Sequence, residues 1–265
     1  MGIVKKSLLL TGINGVVAQA LQKELSATYD VSGLSIARMD DVIRDCDEPT
    51  WKGQLDAFRD RLMDELTTAF RGKDAVAHLG WNTRDEHHKG GLDPLNIVVV
   101  DCVYQAAIAE DVPRIYLASS VHAYDFLEAM AENVEPARPF PDTREDVFGV
   151  ATTSLYGVSK RWMEIAGQYY AERLSERQKI LVVRLGAVDR DDRLPEGNGK
   201  RLWNSHRDLA GLLSAFVECD DAPGFWVAFG VSDNRGGEFP RPMFDTTNPY
   251  GFIPADNALD SHLEE

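Results

Sequence analysis

Apolar residues run along this chain in two rhythms. Ser7–Leu10, Ala75–Leu79, Arg114–Ala118 and Ile180–Leu185 are short and almost unbroken by polar residues. Such runs predict strands buried on both faces. Between them lie longer segments with apolar residues three and four apart. They predict helices over Val16–Leu25, Leu62–Phe70, Asn96–Glu110, Ser154–Leu174 and Arg207–Cys219. Tyr29–Leu34 and Phe225–Val231 read as two further strands. Strands alternating with helices predict βαβ units. The expected fold class is therefore α/β, with a doubly wound parallel sheet.

Two stretches break the alternation. Arg38–Leu55 is polar, acidic and weakly periodic, and Asp125–Thr153 holds Pro136, Pro139 and Pro141 and reads as an irregular surface excursion. Past Asp189 the pattern weakens again. The expected division is residues 1–188 as the main domain and residues 189–265 as a small cap that does not fold alone.

Composition narrows the function classes. With 265 residues, 44% hydrophobic and 27% charged, the chain builds a sizeable core and is not disordered. A net charge of -15 argues against nucleic acid or an anionic membrane as partner. No apolar stretch is long enough to span a bilayer, and the run after Lys6 is too short for a signal-peptide core. Cys46, Cys102 and Cys219 are few, odd in number and far apart. A disulfide framework and a zinc ribbon are not expected, and a reducing cytoplasm is. His87 and His88 lack the carboxylate pattern of a metal site, so no metal is expected.

Thr11-Gly12-Ile13-Asn14-Gly15-Val16-Val17-Ala18 lies between the first strand and the first helix. Gly12 permits a tight turn, Gly15 lets a pyrophosphate approach the backbone, and Ala18 lets helix and strand pack closely. The free N–H groups at the helix start favour an anion. The chain is expected to bind a dinucleotide through Gly12, Asn14, Gly15, Val16 and Val17. After the second strand, Ile36 occupies the slot where NAD binders carry an acid, and Ser35 and Arg38 flank it. Arg38 suits a 2′-phosphate, which favours NADP over NAD. Asp40 or Asp41 is the alternative source of the acid.

Tyr156 and Lys160 are four apart on one predicted helix and share a face. The lysine ammonium is expected to lower the phenol pKa and to hold the cofactor ribose. Ser120, at the end of the strand Leu117-Ala118-Ser119-Ser120, would orient the reacting oxygen while Tyr156 moves its proton.

With TGxxGxxA at 11–18, Gln54-Leu55-Asp56 after a presumed third strand, Ala77–Gly80, Asn96, Ser119-Ser120 and Tyr156-x-x-x-Lys160, the chain resembles an extended short-chain dehydrogenase/reductase over essentially its whole length. It is most similar to the uronate dehydrogenase and haloarchaeal glucose-6-phosphate dehydrogenase group, through residues 118–122, 155–160, 202–213, 229–234 and 254–257. The resemblance implies a Rossmann fold and NAD(P)-dependent oxidation of a sugar or uronate at its anomeric carbon, giving a lactone. It adds Leu55, Asp56, Leu79, Gly80, Trp81 and Ala118 to the cofactor contacts and Asn96 as anchor of a proton-relay water. Thr83, Val121, His122 and Arg201 join Ser120 and Tyr156 at the substrate. Val121 and Ala187 stand where those enzymes carry polar residues, and Trp81 is bulky. These departures leave open an NADPH-dependent reductase of a less polar carbonyl. A nucleotide-sugar epimerase or dehydratase stays open too, as does a non-enzymatic dinucleotide sensor. The resemblance also implies a homodimer or higher homo-oligomer, paired through the helices near 94–110 and 154–175.

Overall fold

The computed structural model describes residues 4–36, 39–82, 93–124, 136, 152 and 154–260. Six parallel strands form one sheet in the order β2-β1-β3-β4-β5-β6. They are β1 (Ser7–Thr11), β2 (Asp30–Leu34), β3 (Ala75–His78), β4 (Arg114–Ser120), β5 (Lys179–Leu185) and β6 (Phe225–Gly230). The helices are α1 (Val16–Leu25), α2 (Met39–Arg44), α3 (Trp51–Phe70), α4 (Pro94–Ala109), α5 (Leu155–Ala171) and α6 (His206–Glu218).

Alternate residues of each strand enter opposite layers. Leu9, Val76, Ile115, Leu117, Ile180 and Val182 pack with apolar residues of α3, α4 and α5. Leu8, Leu10, Tyr116, Ala118, Leu181 and Val183 pack with those of α1 and α6. Both faces are thus covered, as unbroken apolar strands require. Residues 206–230 supply α6 and β6 to these same layers.

One expected strand is replaced. Gln54, Leu55 and Asp56 lie in the first turns of the 20-residue helix α3, where no strand precedes them. The Thr50 side chain caps this helix by accepting from Gly53 N at 3.1 Å. Phe58, Leu62, Leu66 and Phe70 form its buried stripe. The polar stretch 38–55 hid both α2 and the start of α3, because only one side of α3 is apolar. Most of 125–153, including Pro139 and Pro141, lies outside the described residues.

The closing segment is tied down by α6. Asp208 accepts from Ala255 N at 2.8 Å and Asp256 N at 3.0 Å, and Ser205 Oγ donates to Asp256 at 2.6 Å. Asn234 Nδ2 donates to Trp203 O at 2.7 Å, while its Oδ1 accepts from Ala258 N at 3.0 Å. The 202–213, 229–234 and 254–257 motifs are therefore one hydrogen-bonded hub.

Candidate active site

The order of strands reverses at β1, so a crevice opens at the C-terminal ends of β1 and β3. Gly12 turns there with φ +68, and a Cβ on it would stand 2.6 Å from Gly80 Cα. Only glycine lets the two backbones meet this closely. Gly12 N donates to Leu34 O at 2.9 Å, and Gly15 N donates to Gly12 O at 2.8 Å. Gly15 caps α1 without a side-chain bond, and the first turn of α1 carries no acid. Its N–H groups are left for an anion. Asn14 and Gly15 are exposed at this mouth, Val16 is half-buried, and Val17 packs beneath it.

Beneath the turn, Thr11 Oγ1 lies 2.8 Å from His78 Nδ1 and accepts from Leu79 N at 3.3 Å. The hydroxyl proton is then free to go to Nδ1, which assigns the histidine proton to Nε2. His78 is buried, and burial pushes its pKa down to about 3, with Lys160 adding to the fall. The ring is neutral. Among the described residues neither His78 Nε2 nor Trp81 Nε1 has a partner, and both are buried atoms. Two orphaned donors flanking a glycine cradle suit an oxygen-rich ligand, so the residues present fit a dinucleotide.

The reacting side chains come from β4 and α5. The Tyr156 phenol faces Ser120, whose hydroxyl favours its ionised form. Ser120 Oγ also accepts from His122 N at 3.2 Å, starting the 3-10 turn Val121–Ala123. Gly157 allows α5 onto this turn: a Cβ there would stand 2.0 Å from His122 O. Lys160 is buried, donates from Nζ to Ala118 O at 2.6 Å, and stands 3.9 Å over the Trp81 ring.

Burial draws the Lys160 pKa down to about 7, with Glu164 pulling it back up. The Tyr156 pKa is raised by burial, against the lowering effect of Ser120. The lysine-driven lowering read from the sequence is thus not what this geometry gives. Lys160 Nζ is 5.7 Å from the Tyr156 ring centre and faces Ala118 and Trp81.

Other expected residues find different surroundings. Asn96 is bonded to the chain after Trp81: its Oδ1 accepts from Asn82 N at 2.9 Å and its Nδ2 donates to Asn82 O at 2.8 Å. It fixes the chain after Trp81, and Asp93 holds Asn82 Nδ2 at 2.8 Å. Val121 is no open pocket residue, for it packs with Phe229, Val231, Met243 and Phe244. Asp56 is exposed and paired with Lys52 on the surface of α3. Leu55, Ile36 and Trp81 pack against one apolar cluster. Ser35 is exposed. His122 is half-buried with its ring 5.9 Å from that of Tyr156. Arg201 is buried over the Phe239 ring at 4.0 Å. Ala187 bridges Trp203 through its backbone. Arg38, Thr83, His87 and His88 lie outside the described residues.

Asp41 is bonded to Arg44 at 3.4 Å. A cavity of about 640 Å³ opens beside the tail, lined by Asp233, Arg235, Phe244, Asp245 and Ile253. Sequence reasoning includes Thr11 and His78 in its motifs without giving them a role, and does not single out Asn82 and Glu164. The one signal those two carry is their polarity inside or beside apolar elements. No group of three possible metal ligands occurs among the described residues.

The chain is 29% identical over 261 residues to an NAD-dependent glucose-6-phosphate dehydrogenase of Haloferax volcanii, covering 97% of this chain and 95% of the relative. It is 30% identical over 267 residues to an L-arabinose 1-dehydrogenase (NAD(P)(+)) of the same organism, covering 94% and 96%. The crystal structure of a glucuronic acid dehydrogenase from Chromohalobacter salexigens has the same fold, with TM-score 0.68, 19% identity and coverage of 96% and 86%. The profile of the NAD dependent epimerase/dehydratase family matches residues 8–188. The chain belongs to the NAD dependent epimerase/dehydratase family.

Proposed function

We propose that the protein is an NAD(P)-dependent dehydrogenase that oxidises a cyclic sugar or uronate at C1 to the lactone. The observation that carries this reading is the pairing of Tyr156 with Ser120, set beside buried Lys160, whose Nζ lies over Trp81 next to the Gly12–Gly80 approach. The relatives, both named as sugar dehydrogenases, support it.

A bound nicotinamide dinucleotide supplies the hydride acceptor. Gly12, Gly15 and the start of α1 would hold its pyrophosphate, with Leu79, Gly80, Trp81 and Ala118 along the crevice. Ser120 orients the C1 hydroxyl and Tyr156 takes its proton. The C1 hydrogen leaves as hydride, and the C1–O bond becomes the lactone carbonyl. Lys160 would hold the ribose of the bound dinucleotide and stabilise the phenolate. His122, half-buried beside Tyr156, would face the sugar. NADP is favoured over NAD, because Ile36 packs into apolar surroundings and offers no carboxylate.

The test is a panel of aldoses, uronates, sugar phosphates and aromatic carbonyls with each dinucleotide, read at the reduced nicotinamide band. A sugar should turn over with NADP⁺ at the higher kcat/KM. Turnover of aromatic carbonyls alone would overturn the sugar assignment, and a tenfold preference for NAD⁺ would overturn the NADP one.

Free Cys46, Cys102 and Cys219 support a cytoplasmic setting. Among the described residues no helix is long and apolar enough to cross a membrane. A homodimer is the proposed assembly. Leu155, Val158, Ile165 and Tyr169 are exposed apolar residues, and with half-buried Trp162 they form one stripe of α5 opposite Lys160 and Glu164. Their three- and four-residue spacing is that of a helix-pairing seam. Sedimentation should give twice the chain mass of 29.5 kDa, and Ile165→Glu should give the single chain. A monomeric wild type at micromolar concentration would remove this assembly.

A further inference from the structure

One turn past Lys160, buried polar groups converge on a carboxylate. Glu164 accepts Arg184 Nε at 2.9 Å and Nη2 at 2.8 Å, and it accepts the Ser119 hydroxyl at 2.8 Å. Arg161 Nε stands 4.0 Å from the same group. Glu164 and Arg184 are 2% and 1% exposed. Ser119 and Arg184 are register partners on β4 and β5, and Ser119 is the neighbour of Ser120. A single carboxylate thereby joins the helix that carries Tyr156 and Lys160 to the strand that ends in Ser120.

Stability alone is a weak reason for such a pair. Apolar replacements of a buried ion pair are often neutral or stabilising. The charges around Lys160 supply a better one. Tyr156 and Glu164 face it from α5, His78 from β3, Trp81 from the segment after β3, and the Ala118 carbonyl from β4. His78 is neutral, and Glu164 is the anion acting on Lys160 among the described residues.

We propose that Glu164, held by Arg184 and Ser119, is a positioning residue: it sets Tyr156 and Lys160 against Ser120, and it supplies the counter-charge that keeps Lys160 an ammonium. The catalytic purpose rests on the dehydrogenase reading of the same site, while the charge linkage stands without it.

The linkage has a sign. Glu164→Gln removes the anion and leaves the Arg184 cation uncompensated, which favours neutral Lys160 and lowers its pKa. Arg184→Met leaves the anion less compensated and raises it. A merely structural pair gives two damaged proteins with no opposed shifts. The measurement is an NMR titration of 13C-lysine-labelled, ligand-free protein. The Lys160 signal is identified among nine lysines by its loss in Lys160→Arg. Wild type should titrate at about 7. Shifts on the order of one pH unit are expected, downward for Glu164→Gln and upward for Arg184→Met.

If a single variant fails to fold, Glu164→Leu/Arg184→Met keeps the volume without an unpaired charge. Its Lys160 midpoint should fall, because Glu164 is the charge that acts on Lys160. An unchanged midpoint in the double variant, or shifts of the same sign in the single ones, overturns the proposal. Shifts as expected in a protein with no sugar turnover would leave the charge linkage standing and remove only the dehydrogenase purpose.

Discussion

Tyr156→Phe should lose turnover by about a thousandfold, within the range spanned by general acid–base groups. Dinucleotide affinity should stay within about threefold, because the glycine turn and Lys160 are untouched. The phenol oxygen shares Ser120 with the substrate oxygen it serves, so deleting it removes the proton acceptor and leaves the cradle. Burial raises the Tyr156 pKa. The phenolate population therefore grows as pH rises, and wild-type oxidation should accelerate with pH through the neutral and alkaline range. The phenylalanine variant should lack this rise. Tyr104→Phe is the control. Tyr104 OH donates to Met163 O at 3.1 Å inside the core. Losing that bond costs about 1 kcal/mol of stability and no chemistry. Steady-state rates and calorimetric dinucleotide titration on both variants decide the matter. Full turnover by Tyr156→Phe would assign the proton to another group.

How much was readable from the sequence follows from the range of the interactions involved. α1 and β1 carry their own signals: an apolar strand, two glycines and a periodic helix within twenty residues. Tyr156 and Lys160 share a face by helix geometry alone. The order of the strands and the meeting of Gly12 with Gly80 are contacts across 68 residues, and no local period encodes them. The presumed strand before Gln54 failed because the α3 stripe runs through an acidic, polar-looking stretch. The resemblance implies that Val121 is a pocket residue. Only the packed positions of Phe229, Met243 and Phe244 show that it belongs to a core. Lys160 behaves in the same way. Its sequence partner is Tyr156, but its spatial partners in the ligand-free protein are Ala118 O and Trp81.

Gly12→Ala should abolish measurable dinucleotide binding and weaken the fold, and a second glycine shows why both effects are expected. Gly72 has the same φ of +68, yet a Cβ there would meet nothing within 4 Å. Gly72→Ala isolates the strain of the left-handed backbone, roughly 1–2 kcal/mol. Gly12→Ala carries that strain and also drives a methyl to 2.6 Å from Gly80 Cα and 2.7 Å from Gly80 N. Neither neighbour is a side chain that can swing away. Relief requires the β1 turn to part from the segment after β3, adding about 1–3 kcal/mol as overpacking does. The N–H groups at the start of α1 would part from Leu79, Gly80 and Trp81 in the same movement, and the pyrophosphate would lose one wall of its cradle. Thermal unfolding should therefore separate the variants, with Gly12→Ala lower by roughly 5–10 °C and Gly72→Ala by a few degrees. Dinucleotide titration should separate them further, since Gly72→Ala leaves the crevice intact. Equal dinucleotide affinity in Gly12→Ala and wild type would place the cofactor away from this turn.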